Sequence, residues 1–420
     1  MKAIISFALV IIVFALMEWY LAQAFKTVTR DAALNTKRIS QIIYWLIALF
    51  SYGTLVAALL TNFRDWPVSI RMYFTSVILV FFFVKLLIGA FLLAEDVFRL
   101  GNFLFQKAVH FSSDTTGQPS ISRSRFLSQL ALLIGGAPLA MGLYGITRNA
   151  YRYTTHRIKI NLAHLPEAFN GLKIVQISDI HSGSFTSKAA VQKGIDTIMG
   201  LKPDVVFFTG DLVNYAAHEM DDWLELFKTI KAPEGVFSIL GNHDYGDYTR
   251  YPNKEAARLG KLKAREEIIK VHQQLGWDLM LNENRSLKRG DDEIAIIGVE
   301  NWGNRFRQSG DLKKAYAGTQ HLPVKLLLSH DPTHFDHVVT KDFKDIDLTF
   351  SGHTHGGQIG IEIPGFIKWS PSKYIYSKWA GLYQEGKQYL YVNRGFGFLG
   401  FHGRLGILPE ITVMELVKGD

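Results

Sequence analysis

Four apolar stretches, at about 3–24, 41–61, 72–94 and 126–146, crowd the first 150 residues and limit what this end of the chain can become. Each is close to the ~20 residues that cross a hydrocarbon core as a helix. A single such run reads equally well as a buried core helix, but four in succession, rich in Phe, Leu and Ile, offer no polar face to water. The reading is an all-α transmembrane region of about four helices over 1–148, followed by a second domain over 149–420. Charge agrees: residues 1–150 carry 13 Lys/Arg against 6 Asp/Glu, and the rest 33 against 32, so the basic excess flanks the apolar runs. A nucleic-acid binder would place that excess on a folded domain, and no nucleic-acid partner is expected. The chain has no cysteine, which excludes disulfide and thiolate chemistry.

Glu18 and Lys85 interrupt the apolar runs. Glu18 can reach the interface from the end of its span, and Lys85 can snorkel or pair within the bundle. Orientation follows the Lys/Arg content of short loops. Lys26, Arg30, Lys37 and Arg38 surround the first connection and Arg99, Lys107, Arg123 and Arg125 the third, against Arg64 and Arg71 in the second. The first and third loops are thus cytoplasmic, and everything after about residue 147 is expected outside the cytoplasm of a multi-pass cell-membrane protein. Arg148, Arg152, Arg157 and Lys159 work against that placement. A rival reading cleaves a signal at Ala22-Gln23-Ala24, which would leave the basic 25–40 loop outside. The stretch SRSRFLSQLALLIGG (122–136) resembles a twin-arginine export signal, but Ser124 stands where its second arginine belongs. It reads as a signal-anchor, the fourth span.

From Arg157 onward short apolar runs alternate with polar, glycine-rich turns: KIVQIS (173–178), DVVFFT (204–209), GVFSIL (235–240), EIAIIG (293–298), KLLLS (325–329), DLTFS (347–351) and YLYVN (389–393). These predict strands buried on both faces, with helices over 186–200 and 255–275, hence an α/β domain. Five of the runs end in metal-ligand residues: Asp179 and His181, then Asp211, then Asn242-His243-Asp244, then His330-Asp331, then His353 and His355. Open α/β sheets bind ligands beyond the carboxyl ends of their strands, so these tips converge. Carboxylate, imidazole and amide donors without sulfur suit Mn, Fe, Zn or Co. About seven donors exceed what one ion needs, which implies two divalent ions sharing a carboxylate.

The ordered set SDIH, TGD, GNHD, SHDP and SGHTHGG resembles the calcineurin-like metallophosphoesterases, and VNRGFGFLGFHGRLGILPEI (392–411) resembles the ending of their membrane-associated bacterial branch. The resemblance implies an αββα two-sheet sandwich with the metals at one edge. It implies Asp179, His181 and His355 on one metal, Asn242, His330 and His353 on the other, and Asp211 between them. His243 would then assist the leaving group while a metal-bridging hydroxide attacks. In the protein-phosphatase branch an Asp three residues after the bridging Asp orients the catalytic His; here that position is Asn214, which argues against a phosphoprotein substrate. Whether Asn214 or Asp244 supports His243 is open at this stage.

The expected activity is hydrolysis of a phosphodiester or pyrophosphate bond in a phosphorylated, lipid-linked or envelope substrate by a membrane-anchored metallophosphoesterase. Two alternatives are a phosphodiesterase for soluble nucleotides or nucleotide-sugars, and a non-catalytic metal- or ligand-sensing receptor. Two segments bear on the substrate: IPGFIKW (363–369) and GFGFLGF (395–401) read either as core strand and turn or as an apolar, membrane-facing lip. Arg394 and Arg404 are candidates for clamping a phosphate, or for structural ion pairs.

Overall fold

A computed structural model describes residues 2–61, 63, 66–109, 121–363 and 365–419, with side chains from residue 14 onward except at 59, 108–109 and 121–125. Arg64, residues 110–120 of the third connection and Pro364 lie outside the described residues. The chain divides into two units, Met1–Tyr144 and Gly145–Asp420.

Each apolar run lies in one helix: α1 (Lys2–Val28), α2 (Leu34–Leu60), α3 (Val68–Val109) and α4 (Ile121–Thr147). Leu34–Ala58, Val68–Lys107 and Phe126–Thr147 are long and apolar enough to cross a membrane. Large side chains such as Leu49, Phe83 and Leu133 stay exposed on these helices, as lipid contact requires. The third helix is longer than its apolar run: its 42 residues extend about 63 Å, twice a hydrocarbon core. Glu18 and Lys85 do not reach for the interface. They pair with each other inside the first unit, where Tyr44 Oη donates to Glu18 Oε2 at 2.5 Å and Tyr52 Oη to Oε1 at 2.9 Å. One carboxylate thereby ties α1, α2 and α3 together, with its charge compensated as a low-dielectric setting demands.

The second unit holds two six-stranded sheets. The first runs in the order β1 (Thr154–Leu162), β14 (Glu410–Lys418), β2 (Lys173–Ile177), β3 (Val205–Phe208), β4 (Val236–Ser238), β5 (Asp278–Leu279). The second runs β12 (Gly381–Glu385), β13 (Gln388–Val392), β9 (Leu348–Ser351), β8 (Lys325–Leu328), β7 (Asp292–Gly298), β6 (Glu283–Arg289). The inner strands of both are parallel, and β14 inserts between β1 and β2, antiparallel to β2.

Alternate side chains of each inner strand face opposite layers. Ile174, Phe207, Ile296, Leu328, Phe350 and Met414 fill the space between the sheets. Val175, Val206 and Phe208 point the other way and pack beneath α5 (Lys188–Gly200) and the helix Lys254–Leu275 through Ile195, Ile268 and Leu275. Ile297, Leu327 and Val392 form a third cluster with Leu312, Phe335 and Val339 on the outer face of the second sheet. Helices outside and two sheets inside make the αββα sandwich. All seven expected strands and both expected helices form. The two remaining strands, β10 (Ile361–Ile363) and β11 (Ile367–Trp369), pair with each other in a separate hairpin.

Candidate metal centre

The loops that leave β2, β3, β4, β8 and β9 carry every expected ligand to one edge of the sandwich. Their backbones are locked together: Asp179 N–H donates to Gly210 O, His181 N–H to Asp211 O, and Gly352 N–H to His330 O. Asp179, His181, Asp211, His353 and His355 all have positive φ, between 49° and 70°. That conformation is costly for side chains with a Cβ and tends to cluster where function holds it. Gly352 allows a close approach; a Cβ there would lie 1.9 Å from Ser178 Oγ and 2.3 Å from Asp179 Oδ2.

Two triads of ligand atoms result, Asp179–His181–His355 and Asp211–His330–His353, each within 4.8 Å internally. Asp211 Oδ2 lies 3.5 Å from His181 Nε2 and 3.1 Å from His330 Nε2, so a single oxygen faces both groups. Asn242 Oδ1 joins the second group, 3.2 Å from His330 Nε2. In the first, His355 Nε2 is 3.0 Å from His181 Nε2 and 3.3 Å from Asp179 Oδ1.

The far nitrogens fix which way these rings turn. His330 Nδ1–H donates to Thr209 O at 2.7 Å, and His181 Nδ1–H to Asn214 Oδ1 at 3.0 Å. His353 is held by Tyr376 Oη, 2.8 Å from its Nε2, leaving Nδ1 to face His330. Ligand imidazoles in metal sites are fixed by such partners. His355 Nε2 and His181 Nε2 are within hydrogen-bond reach of each other, and the carboxylate, imidazole and amide donors gathered here fit a pair of divalent ions.

The charges carry the same message. Burial drives the His181 imidazole down to about 3 and His353 to about 4, so both stay neutral. Burial opposes protonation of His330, yet the Asp211 and Asp179 carboxylates push it up to about 10. Burial raises Asp179 to about 6, moderated by His330.

His243 stacks on Tyr248 at 4.1 Å and donates from Nδ1 to the backbone carbonyl of Asn214 at 2.8 Å. Neither side chain considered for its support does that work. Asn214 turns to His181, and Asp244 accepts the N–H groups of Gly241, Asp211, Leu212 and Val213, tying the bridging loop to the next one. The neutral residue at 214 therefore leaves His243 with a carbonyl partner.

Arg394 and Arg404 depart from the phosphate-clamp expectation. Arg394 is buried between Glu362 and Glu410. Arg404 is fully buried and gives its terminal nitrogens to the carbonyls of His355, Arg394, Gly395 and Gly397. Both guanidiniums hold the loop behind His355 in place and present no open fork. Phe396 and Phe398 of GFGFLGF are likewise core residues. An open cation lies elsewhere: exposed Arg305, which shares a cleft of about 220 Å³ with Phe306, Tyr376 and Lys378. Phe306 packs on the His353 ring at 4.6 Å, so the cleft adjoins the second triad. Arg305, Tyr248 and Tyr376 carried no sequence signal, because each is brought to the site by the path of a loop.

Residues 172–357 match the family model described as "Calcineurin-like phosphoesterase", and residues 1–150 that described as "Probable Calcineurin-like phosphoesterase, transmembrane domain". The metallophosphoesterase YkuE of Bacillus subtilis is 32% identical over 308 residues, covering 70% of this chain and 98% of that one. The UDP-2,3-diacylglucosamine pyrophosphatase LpxG of Chlamydia trachomatis is 30% identical over 300 residues, covering 60% and 86%. The phosphodiesterase YaeI of Escherichia coli is 26% identical over 303 residues, covering 71% and 100%. With its ligand loops and its membrane-spanning helices both matched, the chain belongs to the calcineurin-like phosphoesterases and is a membrane-bound phosphoester hydrolase of that family.

Proposed function

We propose that the protein binds two divalent cations, of Mn, Fe, Zn or Co, and hydrolyses a phosphodiester or pyrophosphate bond in a lipid-linked or envelope substrate. The convergence of the His181 and His330 Nε2 atoms on one Asp211 oxygen carries this reading. Asp179, His181 and His355 hold one cation, Asn242, His330 and His353 the other, and Asp211 both. Cations there supply water of lowered pKa and charge for the phosphoryl oxygens. His243 is oriented by the Asn214 carbonyl, so its Nε2 is the atom that hands a proton to the leaving oxygen. The substrate class is supported by the membrane region and by the printed name of LpxG, whose substrate is a diphosphate bearing two acyl groups.

The test uses the detergent-solubilised, Mn²⁺-loaded chain with bis(p-nitrophenyl) phosphate, lipid phosphates, lipid pyrophosphates and nucleotide-sugars. An acylated substrate should be turned over faster than its soluble counterpart; the reverse order favours a nucleotide phosphodiesterase. His243→Ala should retain both metals and lose roughly 10²–10⁴ in kcat. Unchanged turnover would remove His243 from the mechanism.

A further inference from the structure

The β10–β11 hairpin is inverted relative to an ordinary surface hairpin. Its register pairs Ile361 with Trp369, Glu362 with Lys368 and Ile363 with Ile367. Paired residues share a face and alternate residues change it. Ile361, Ile363, Ile367 and Trp369 therefore lie on one side, Glu362 and Lys368 on the other. The polar side is the one bound to the protein. Glu362 accepts both Nε and Nη2 of Arg394, and Lys368 donates to Ala380 O and lies over the Trp379 ring.

The apolar side faces away from the protein. Ile361 and Ile363 are about half exposed, and Phe366 in the turn is 85% exposed. Trp369 Nε1 reaches Tyr374 Oη at 3.5 Å, linking the hairpin to the next loop, where Tyr374 is 74% and Ile375 58% exposed. A hairpin that spends its charges on its own domain and shows Ile and Phe to the outside, beside exposed Tyr374 and Ile375, is built to be covered.

We propose that this hairpin inserts into the interfacial layer of the lipid bilayer. Three observations select lipid as the occupant. Aromatic residues at the edge of an aliphatic strip match the chemistry of the membrane–water interface. The hairpin's one carboxylate, Glu362, lies on the opposite face and is neutralised by Arg394, while Lys373 beside Tyr374 is exposed, so the surface suits anionic headgroups. The bilayer is also the one surface this chain never leaves, since only a few residues separate α4 from β1. The hairpin follows the His353–His355 loop directly, and Tyr376, just beyond Ile375, holds His353. Insertion would put the mouth of the metal centre at the level where a phosphate on a lipid lies.

The absence of native cysteine allows a direct test. Phe366→Cys and, as a control, Asp291→Cys in the turn between β6 and β7 are each labelled with a fluorophore in the full chain. The proteins are reconstituted in vesicles of phosphatidylethanolamine and phosphatidylglycerol with bromines on the acyl chains. The label at 366 should be quenched at least threefold more by bromolipid, and at least threefold less by iodide, than the label at 291. Equal quenching at the two positions overturns the proposal. A label at 366 shielded from iodide but untouched by bromolipid also overturns it, because a protein surface then covers the hairpin. This readout needs no turnover, so it stands or falls apart from the proposed reaction. Ile363→Asp, which leaves every metal-centre residue in place, should weaken bromolipid quenching at 366 by the same measure.

Discussion

At the residue scale, the metal centre depends on groups that touch ligands more than on groups that touch substrate. Asn214 is the clearest case. Its side chain holds His181 Nδ1 at 3.0 Å and Ser184 Oγ at 2.9 Å, so it sets the ring angle of one ligand. Asn214→Ala should weaken metal binding at the Asp179–His181–His355 group by about 10- to 100-fold, with less effect on the other group. Metal titration of the apoprotein, resolved into two sites, checks this. His330 supplies a second prediction. With its pKa raised to about 10 it holds a proton at pH 8, and ligation must expel it. Mn²⁺ binding at pH 8 should therefore release about one proton, measured by calorimetry in buffers of different ionisation enthalpy. The sign is definite: affinity rises as pH climbs towards 10 and the proton competes less. Below about 6 Asp179 starts to hold a proton too, and affinity falls more steeply. No proton release at pH 8 would mean that His330 is neutral before the metal arrives.

At the element scale, the strands legible in the sequence are those whose residues are buried on both faces, such as β3 and β8. Continuous apolar runs announce themselves wherever they pair. By contrast, β1 alternates polar residues along its exposed length, and its partner β14 lies at the far end of the chain. Periodicity within a short window cannot report a pairing across some 250 residues. The metal ligands were legible for a related reason: a glycine or an Asp/His at the end of a buried strand is a local pattern. The roles of Asn214, Tyr376 and Arg404 were not, because they depend on how separate loops meet. The membrane helices follow the same division. Their existence could be read from composition, but the Glu18–Lys85 pair needed α1 and α3 side by side. Lys85→Met should leave a buried carboxylate with two tyrosines and destabilise the bundle by about 3–5 kcal/mol. Glu18→Gln combined with Lys85→Met should recover most of that loss. The midpoint of denaturant unfolding in detergent measures both, and equal losses in the single and double variants would show that the pair is not coupled.

At the scale of the whole molecule, the side of the membrane on which the metal centre works decides which substrates and metals it meets. Were all four helices to span, they would return the chain to the side of its N-terminus, and the basic connections after α1 and α3 favour the cytoplasm. The length of α3 carries the second of these connections beyond the hydrocarbon core. Roughly 20 of its 42 residues suffice to cross the core, and the excess towards Val109 carries Glu95, Asp96, Arg99 and Lys107, a charged segment that belongs in water. Arg99 is engaged by Glu95 and Asp96 there, which reduces its weight as an inside anchor. The basic residues from Arg148 to Lys159 pull the other way, but they lie beside a folded domain, where long translocated segments override local charge. We therefore expect the domain from Gly145 onward to lie outside the cytoplasm. An alkaline phosphatase fused after Asp420 should be active, while a fluorescent protein that matures only in the cytoplasm should stay dark at the same site. The opposite pair of results would place the domain in the cytoplasm, and with it a substrate drawn from the inner leaflet or from soluble nucleotides.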